Sequence, residues 1–139
     1  MKSTLIDAGP IISLFNRDDY YHNNIVRFLK DYKGYFVSSW PVVTEVSHML
    51  SYNVNVQIDF LEWLQRGAVN IINMDLVYLN RIIELTRKYS DIPMDLADSS
   101  LVVLSESLKI NEIITIDSDY YIYRTKSKKM LKNILEEYL

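Results

Sequence analysis

The chain has no cysteine in its 139 residues, which excludes disulfide cross-links, zinc–thiolate sites and a thiol nucleophile together. Histidine is nearly as scarce: His22 and His48 are the two present, and both are expected at the surface or its boundary rather than as ligands. Long apolar runs are missing too. No stretch approaches the roughly 18 residues of a membrane span, so no membrane association is expected. The opening Met1-Lys2-Ser3-Thr4-Leu5-Ile6-Asp7 reaches an acid too early for the apolar segment of a secretion signal, and a cytoplasmic location is the expectation. Finally, there is no excess of cations. A net charge of −3 and a pI near 5.3 give no global pull toward nucleic acid. A polyanionic substrate would have to be held by local cations or by bound metal.

A hydrophobic fraction of 49% suffices for a core, and the length suits one domain over residues 1–139. Thr4 to Asp7 reads as a short buried strand, punctuated by Gly9-Pro10, with a brief helix through Ile11 and Phe15. Asp18-Asp19 looks like a helix start, and Ile25, Val26, Leu29 and Tyr32 continue at helical spacing to Lys33-Gly34. Tyr35 to Ser38 suits a strand, Pro41 can open a helix bearing Val42, Val46, Met49 and Leu50, and Val56 to Arg66 reads as another. Val69 to Ile72 is a third strand, followed by helices over Asp75–Tyr89 and Asp95–Leu108 and a strand over Glu112–Ile116. Met130, Leu131, Ile134 and Leu135 predict an amphipathic helix over Ser127–Leu139. Strands alternating with helices imply an α/β fold, a mainly parallel sheet covered on both faces. Its ligand crevice should open at the carboxyl ends of the strands, where strand order reverses.

Acids stand where that rule looks for them. Asp7 follows Leu5-Ile6 and Asp117 follows Ile113 to Ile116, so both should project from the same sheet edge, although turn chemistry alone could account for either. Glu45 lies on the shoulder of the stripe formed by Val42, Val46 and Met49, and Asp98 sits beside Ala97 and Leu101. A charge so near a core-facing stripe is costly unless paired or bound to a cation. Asp98 is not needed as a cap inside its helix on this reading. Clustered carboxylates repel one another, and a cation relieves them. Oxygen-only ligands select Mg²⁺ or Mn²⁺, ions that can activate water and orient a phosphodiester.

These segments resemble the PIN-domain family. Leu5-Ile6-Asp7-Ala8-Gly9-Pro10-Ile11-Ile12-Ser13-Leu14-Phe15 resembles its opening, Val42-Val43-Thr44-Glu45-Val46 the helix bearing its glutamate, Met94 to Leu101 the segment of its third acid, and Ile113-Ile114-Thr115-Ile116-Asp117 the fourth. The order and approximate spacing match across nearly the whole chain. The resemblance implies a three-layer α/β/α fold and a Mg²⁺- or Mn²⁺-dependent endoribonuclease that hydrolyses RNA by metal-activated water, with Asp7, Glu45, Asp98 and Asp117 as catalytic metal ligands. Compact members of the family are often the toxin of a VapBC-type toxin–antitoxin pair, commonly homodimeric and inhibited by an antitoxin peptide. Gly9 stands where many relatives carry a hydroxyl residue, and Thr115 is a candidate to supply that hydroxyl. Asp119 competes with Asp117 for the fourth role, and Asp95 either supports the ligands or favours the positive end of its helix.

Arg124, Lys126, Lys128, Lys129 and Lys132 form the one basic cluster, preceded by Tyr120, Tyr121 and Tyr123. They are candidates for contacts with single-stranded RNA, against the alternative of a solvated face beside core tyrosines. Phe60 and Trp63 are expected in the core, with a partner surface as the alternative. Two other phosphoryl-handling architectures also begin on a strand-end aspartate. One needs a second acid where Gly9 stands, the other a late strand-end lysine where Asp117 stands. The remaining alternative is a catalytically inactive PIN-like binding or assembly module.

Overall fold

Strands form where β-branched and aromatic residues run together. In the computed structural model, which describes residues 1–139, these are β1 (Lys2–Ile6), β2 (Gly34–Ser39), β3 (Val69–Ile72), β4 (Glu112–Ile114) and β5 (Lys132–Asn133). They make one sheet in the order β3-β2-β1-β4-β5, and every neighbouring pair is parallel. Parallel neighbours require crossovers, supplied by α1 (Ala8–Phe15), α2 (His22–Asp31), α3 (Trp40–Met49), α4 (Val54–Gln65), α5 (Leu79–Lys88) and α6 (Leu96–Leu108). Right-handed crossovers running from β1 to β3 put α1 to α4 on one face. The reversed run from β3 to β4 puts α5 and α6 on the other. The architecture is therefore α/β/α, in three layers.

Burial increases toward the carboxyl end of β1 and β2, where the side chains of Thr4, Leu5, Ile6 and Phe36 to Ser39 are covered. Leu5, Ile113 and Ile114 are fully enclosed at the sheet's centre. A continuous cluster of 29 buried apolar residues links both helical layers to the sheet, which gives the strand ends a rigid frame. Aromatic rings close its margins: Tyr32 stacks on Phe36 and Phe28, and Phe15 meets Phe60 and Trp63 edge-on. Phe60 and Trp63 thus pack inward. Gly34 is required for a local reason, because a Cβ there would lie 2.6 Å from the Lys2 carbonyl and from the Tyr32 hydroxyl.

Two expectations from the sequence need correction. The stretch Ser127–Leu139 is not an amphipathic helix; it forms β5 and a closing 3-10 turn at Glu136–Tyr138. Leu131 and Leu135, both buried, have a spacing that suits a helix. The open edge of β4 offers unpaired backbone groups instead, and Lys132 N–H and Ile134 N–H donate to the carbonyls of Asn111 and Ile113. Tertiary pairing overrides local periodicity here. Likewise α2 starts at His22, not at Asp18-Asp19. The Asp19 carboxylate instead accepts the Tyr21 N–H and the Ser13 hydroxyl, holding the turn before the helix.

Candidate metal centre

Strand order reverses between β1 and β4; Asp7 follows β1 directly, whereas β4 ends at Ile114, short of the expected Ile116, and Asp117 follows in the loop beyond it. Asp7 is the N-cap of α1, its carboxylate accepting the Ala8 N–H at 2.8 Å. Its own N–H donates to the Ile114 carbonyl, so the residue is tied to both central strands. Past β4, Asp117 accepts the Asp119 N–H at 2.9 Å and turns the chain into a 3-10 segment, Ser118–Tyr121. Asp98 comes from the first turn of α6. Ligand oxygens of Asp7, Asp98 and Asp117 all lie within 4.8 Å of one another. Three acids distant in sequence converge.

Thr115 binds two of them. Its hydroxyl donates to Asp7 at 2.8 Å and accepts the Asp117 N–H at 2.9 Å. The side chain of Asn133 in turn accepts from the Thr115 N–H and donates to its carbonyl, so the edge strand β5 braces the cluster. A Cβ at Gly9 would meet Ile116 at ordinary contact distance, so the position has room for a side chain. Asp98 is held differently from the expectation that it has no capping role. With Asp95 it forms a reciprocal capping box, Asp95 accepting the Asp98 N–H at 2.8 Å and Asp98 accepting the Asp95 N–H at 3.3 Å. Asp95 is therefore the N-cap of α6. The hydroxyls of Tyr120 and Tyr123 reach the Asp98 oxygens at 3.3 and 3.4 Å.

These two tyrosines are the neighbours the sequence reading misses. It places them either in the core or in contact with RNA; they are in the core, and what it misses is that both hydroxyls face the third acid. Their i and i+3 spacing just after Asp117 is the signal that could have found them. Tyr121 points outward to Glu136 instead. Asp119 stays outside the cluster. Glu45, on α3, is also outside it and exposed at the rim, where it lines a cavity of about 610 Å³ with Trp40, Pro41, Thr44, Asp95, Leu96 and Ala97. His48 is exposed, and His22 is half-buried with its Nδ1 2.8 Å from the Ser13 carbonyl oxygen.

The electrostatics are severe. Asp7 and Asp98 are only 6% and 7% exposed. Burial, opposed by the Thr115 and Ala8 hydrogen bonds and reinforced by Glu45 and Asp117, pushes the Asp7 carboxyl up to about 6. Asp98 is also raised, first by burial and then by the charges of Asp95 and Asp7. Glu45 is raised by partial desolvation and by Asp95 and Asp117. The ion pairs of the molecule are Lys2–Glu112, Arg66–Glu62, Arg81–Glu84 and Arg81–Glu106, so no lysine or arginine neutralises these acids. Buried charge without a counterion is strongly unfavourable. The hydrogen bonds to Asp98 are long, leaving its lone pairs free to ligate. The donor set is all oxygen, which fits a hard divalent cation, and Asp7, Asp98 and Asp117 could hold one.

The basic cluster lies elsewhere. Lys126 donates its backbone N–H to Glu106, eight residues along α6 from Asp98, or about 12 Å. Lys126 and Lys129 line a polar cavity with Lys109 and Asn111. The Arg124 guanidinium donates to the carbonyls of Tyr121 and Tyr123, while Lys128 stands exposed at positive φ. No helix is long and apolar enough to cross a membrane.

Known proteins resemble this chain in sequence and in fold. No family model matches the chain. A curated relative, ribonuclease VapC26 of Mycobacterium tuberculosis, is 23% identical over 119 residues, which is 84% of this chain and 88% of that protein. The crystal structure of M. tuberculosis VapC20, described as a sarcin-ricin loop cleaving toxin, matches with a TM-score of 0.78 at 13% identity, covering 86% of this chain and 93% of that one. The structure of VapBC2 from Rickettsia felis, bound to a DNA fragment from their promoter, matches with a TM-score of 0.61 at 13% identity, over 86% and 92% of the two chains. The parallel sheet, the length matched and the sequence similarity agree, and over most of its length the chain is similar in fold to these VapC proteins.

Proposed function

We propose that this chain is a divalent-metal-dependent endoribonuclease and the toxin of a toxin–antitoxin pair. The observation that carries the reading is the set of three mutually close aspartates, two of them buried, that no basic side chain neutralises. The names of the relatives support it: one is a ribonuclease, another a toxin that cleaves the sarcin-ricin loop. Asp7, Asp98 and Asp117 are the ligands, and Glu45 completes the site from the rim of the cavity. A bound Mg²⁺ or Mn²⁺ supplies charge neutralisation for the phosphodiester and lowers the pKa of water.

The chain's own residues do the rest. Thr115 fixes the rotamer of Asp7 by donating to it and holds the Asp117 turn by accepting its N–H. The Tyr120 and Tyr123 hydroxyls, with the Asp95 N–H, aim the Asp98 carboxylate into the cluster. Glu45, exposed on the cavity beside Asp95 and with a raised pKa, acts from the rim as the fourth acid of the site. Lys126, bonded to Glu106 at a distance along α6 from Asp98, serves a flanking stretch of the RNA rather than the scissile phosphate, and Arg124, Lys128 and Lys129 are further candidates for RNA contacts. An antitoxin partner is supported by the VapBC2 complex. A homodimer is supported by the apolar side chains exposed at the end of α3, in the turn after it and on α4, namely Met49, Tyr52, Val54, Ile58 and Leu61.

The test is cleavage of RNA by the purified chain with Mg²⁺, with Mn²⁺ and with EDTA. Cleavage that needs metal and vanishes in Asp7→Asn and Asp98→Asn, while both variants stay folded by circular dichroism, is the expected outcome. Equal cleavage by those variants would trace the activity to a contaminant. No cleavage with either metal, together with undiminished partner binding, would mark a binding module instead.

A further inference from the structure

Trp40 is a tryptophan in an unusual position. It is the first residue of α3, directly after the carboxyl end of β2, and it remains 53% exposed. The other tryptophan, Trp63, packs against Phe15 and Phe60. The Trp40 ring is not loose: its Nε1–H donates to the Asn73 side-chain oxygen at 2.9 Å, across to the loop that follows β3. Its one polar atom is therefore satisfied by the protein while much of its surface stays open.

Trp40 also divides two spaces. On one side is the cavity that contains Glu45 and Asp95 beside the acid cluster. On the other is a smaller, mainly apolar slot of about 170 Å³, lined by Trp40, Pro41, Ile72, Met74, Leu79 and Leu96 among others. An open indole face between an acid-lined cavity and an apolar slot matches the chemistry of an unpaired nucleobase. Single-stranded RNA is recognised largely by stacking splayed bases on aromatic rings. We propose that Trp40 is the stacking platform for one base of the RNA next to the cut, with the apolar slot receiving the edge of that base. This deepens the nuclease reading above and rests on it. It also gives the RNA a handle on the cavity that holds Glu45 and Asp95.

The experiment is steady-state cleavage of a short unstructured oligoribonucleotide, and of a series in which one base at a time is replaced by an abasic ribose. For Trp40→Ala, KM rises roughly 5- to 150-fold, the range expected from loss of one stacked base, while kcat stays within about threefold. Trp40→Phe keeps a ring and keeps KM within about fivefold of the parent. In the parent chain, removing one base beside the cut imposes a KM penalty of similar size, and in Trp40→Ala that penalty disappears. A merely structural tryptophan would leave the penalty in place. Parental KM in Trp40→Ala, or an abasic penalty that persists in it, overturns the inference while leaving the nuclease reading intact. Absence of metal-dependent cleavage by the parent chain removes the nuclease reading and this inference together.

Discussion

At the scale of single residues, burial and proximity set the behaviour of the acids. Burial pushes the Asp7 carboxyl up to about 6 in the folded chain, well above the ordinary aspartate range. Its folded pKa is raised, so the neutral form is favoured by folding. That contribution to stability is fully present below the unfolded value and is lost as pH rises through about 6, and Asp98 acts in the same direction. In EDTA the melting temperature is therefore expected to rise as pH falls from about 7 to about 5. Asp7→Asn should stabilise the metal-free chain at neutral pH by up to about 3 kcal/mol and flatten its pH profile; a melting curve as pH-dependent as the parent's would contradict this. Thr115 makes a separate prediction. Thr115→Val removes the donor to Asp7 and the acceptor for Asp117, and a lost supporting hydrogen bond typically costs about 10- to 100-fold in metal affinity. Calorimetric titration with Mn²⁺ should show that loss, with recovery in Thr115→Ser. Unchanged affinity would reduce Thr115 to a strand residue.

At the scale of elements, α6 and the tail behave in opposite ways. α6 was legible, because Ala97, Leu101, Leu104 and Leu108 repeat at helical spacing and an acid stands at its head. Its small residues, Ala97, Ser99, Ser100 and Ser105, let it sink into the molecule, and the Ser39–Ser100 hydroxyl contact at 2.7 Å ties its first turns to the end of β2. What spacing did not show was that Asp95 and Asp98 cap the helix reciprocally, since a capping box is a property of backbone position. The tail misled because Leu131 and Leu135 satisfy a helical spacing as well as they satisfy two core sites flanking a short edge strand. Only the unpaired edge of β4 decides between them. Asn133 is the hinge of that decision, bonded to Thr115 on both backbone groups and accepting the Leu135 N–H. Asn133→Ala should cost about 1–3 kcal/mol in urea denaturation through the groups it leaves unpartnered. It should weaken Mn²⁺ binding as well. Full stability and full binding in this variant would show that the tail is merely draped on the sheet.

At the scale of the whole molecule, the fold gathers negative charge and supplies no internal cation to balance it. A divalent ion should then act as a folding ligand. Mg²⁺ or Mn²⁺ at about a hundredfold above its dissociation constant should add about 2.7 kcal/mol, read as a rise in melting temperature. The rise should be absent in Asp98→Asn, and an equal rise there would place the ion outside the cluster. The sequence by itself determined the alternation of strands and helices and the positions of Asp7 and Asp117 at strand ends, because apolar periodicity and chain direction are local quantities. It also set Asp98 beside a core-facing stripe, with a surface acid as the alternative, and the structure buries it. Tertiary structure alone decided that Glu45 stands at the rim and that Tyr120 and Tyr123 face Asp98. It also carried the basic loop toward the far end of α6. Those outcomes depend on sheet order and on which strand edge the chain's last turn covers, and such long-range pairings leave no periodic trace in the residues that make them.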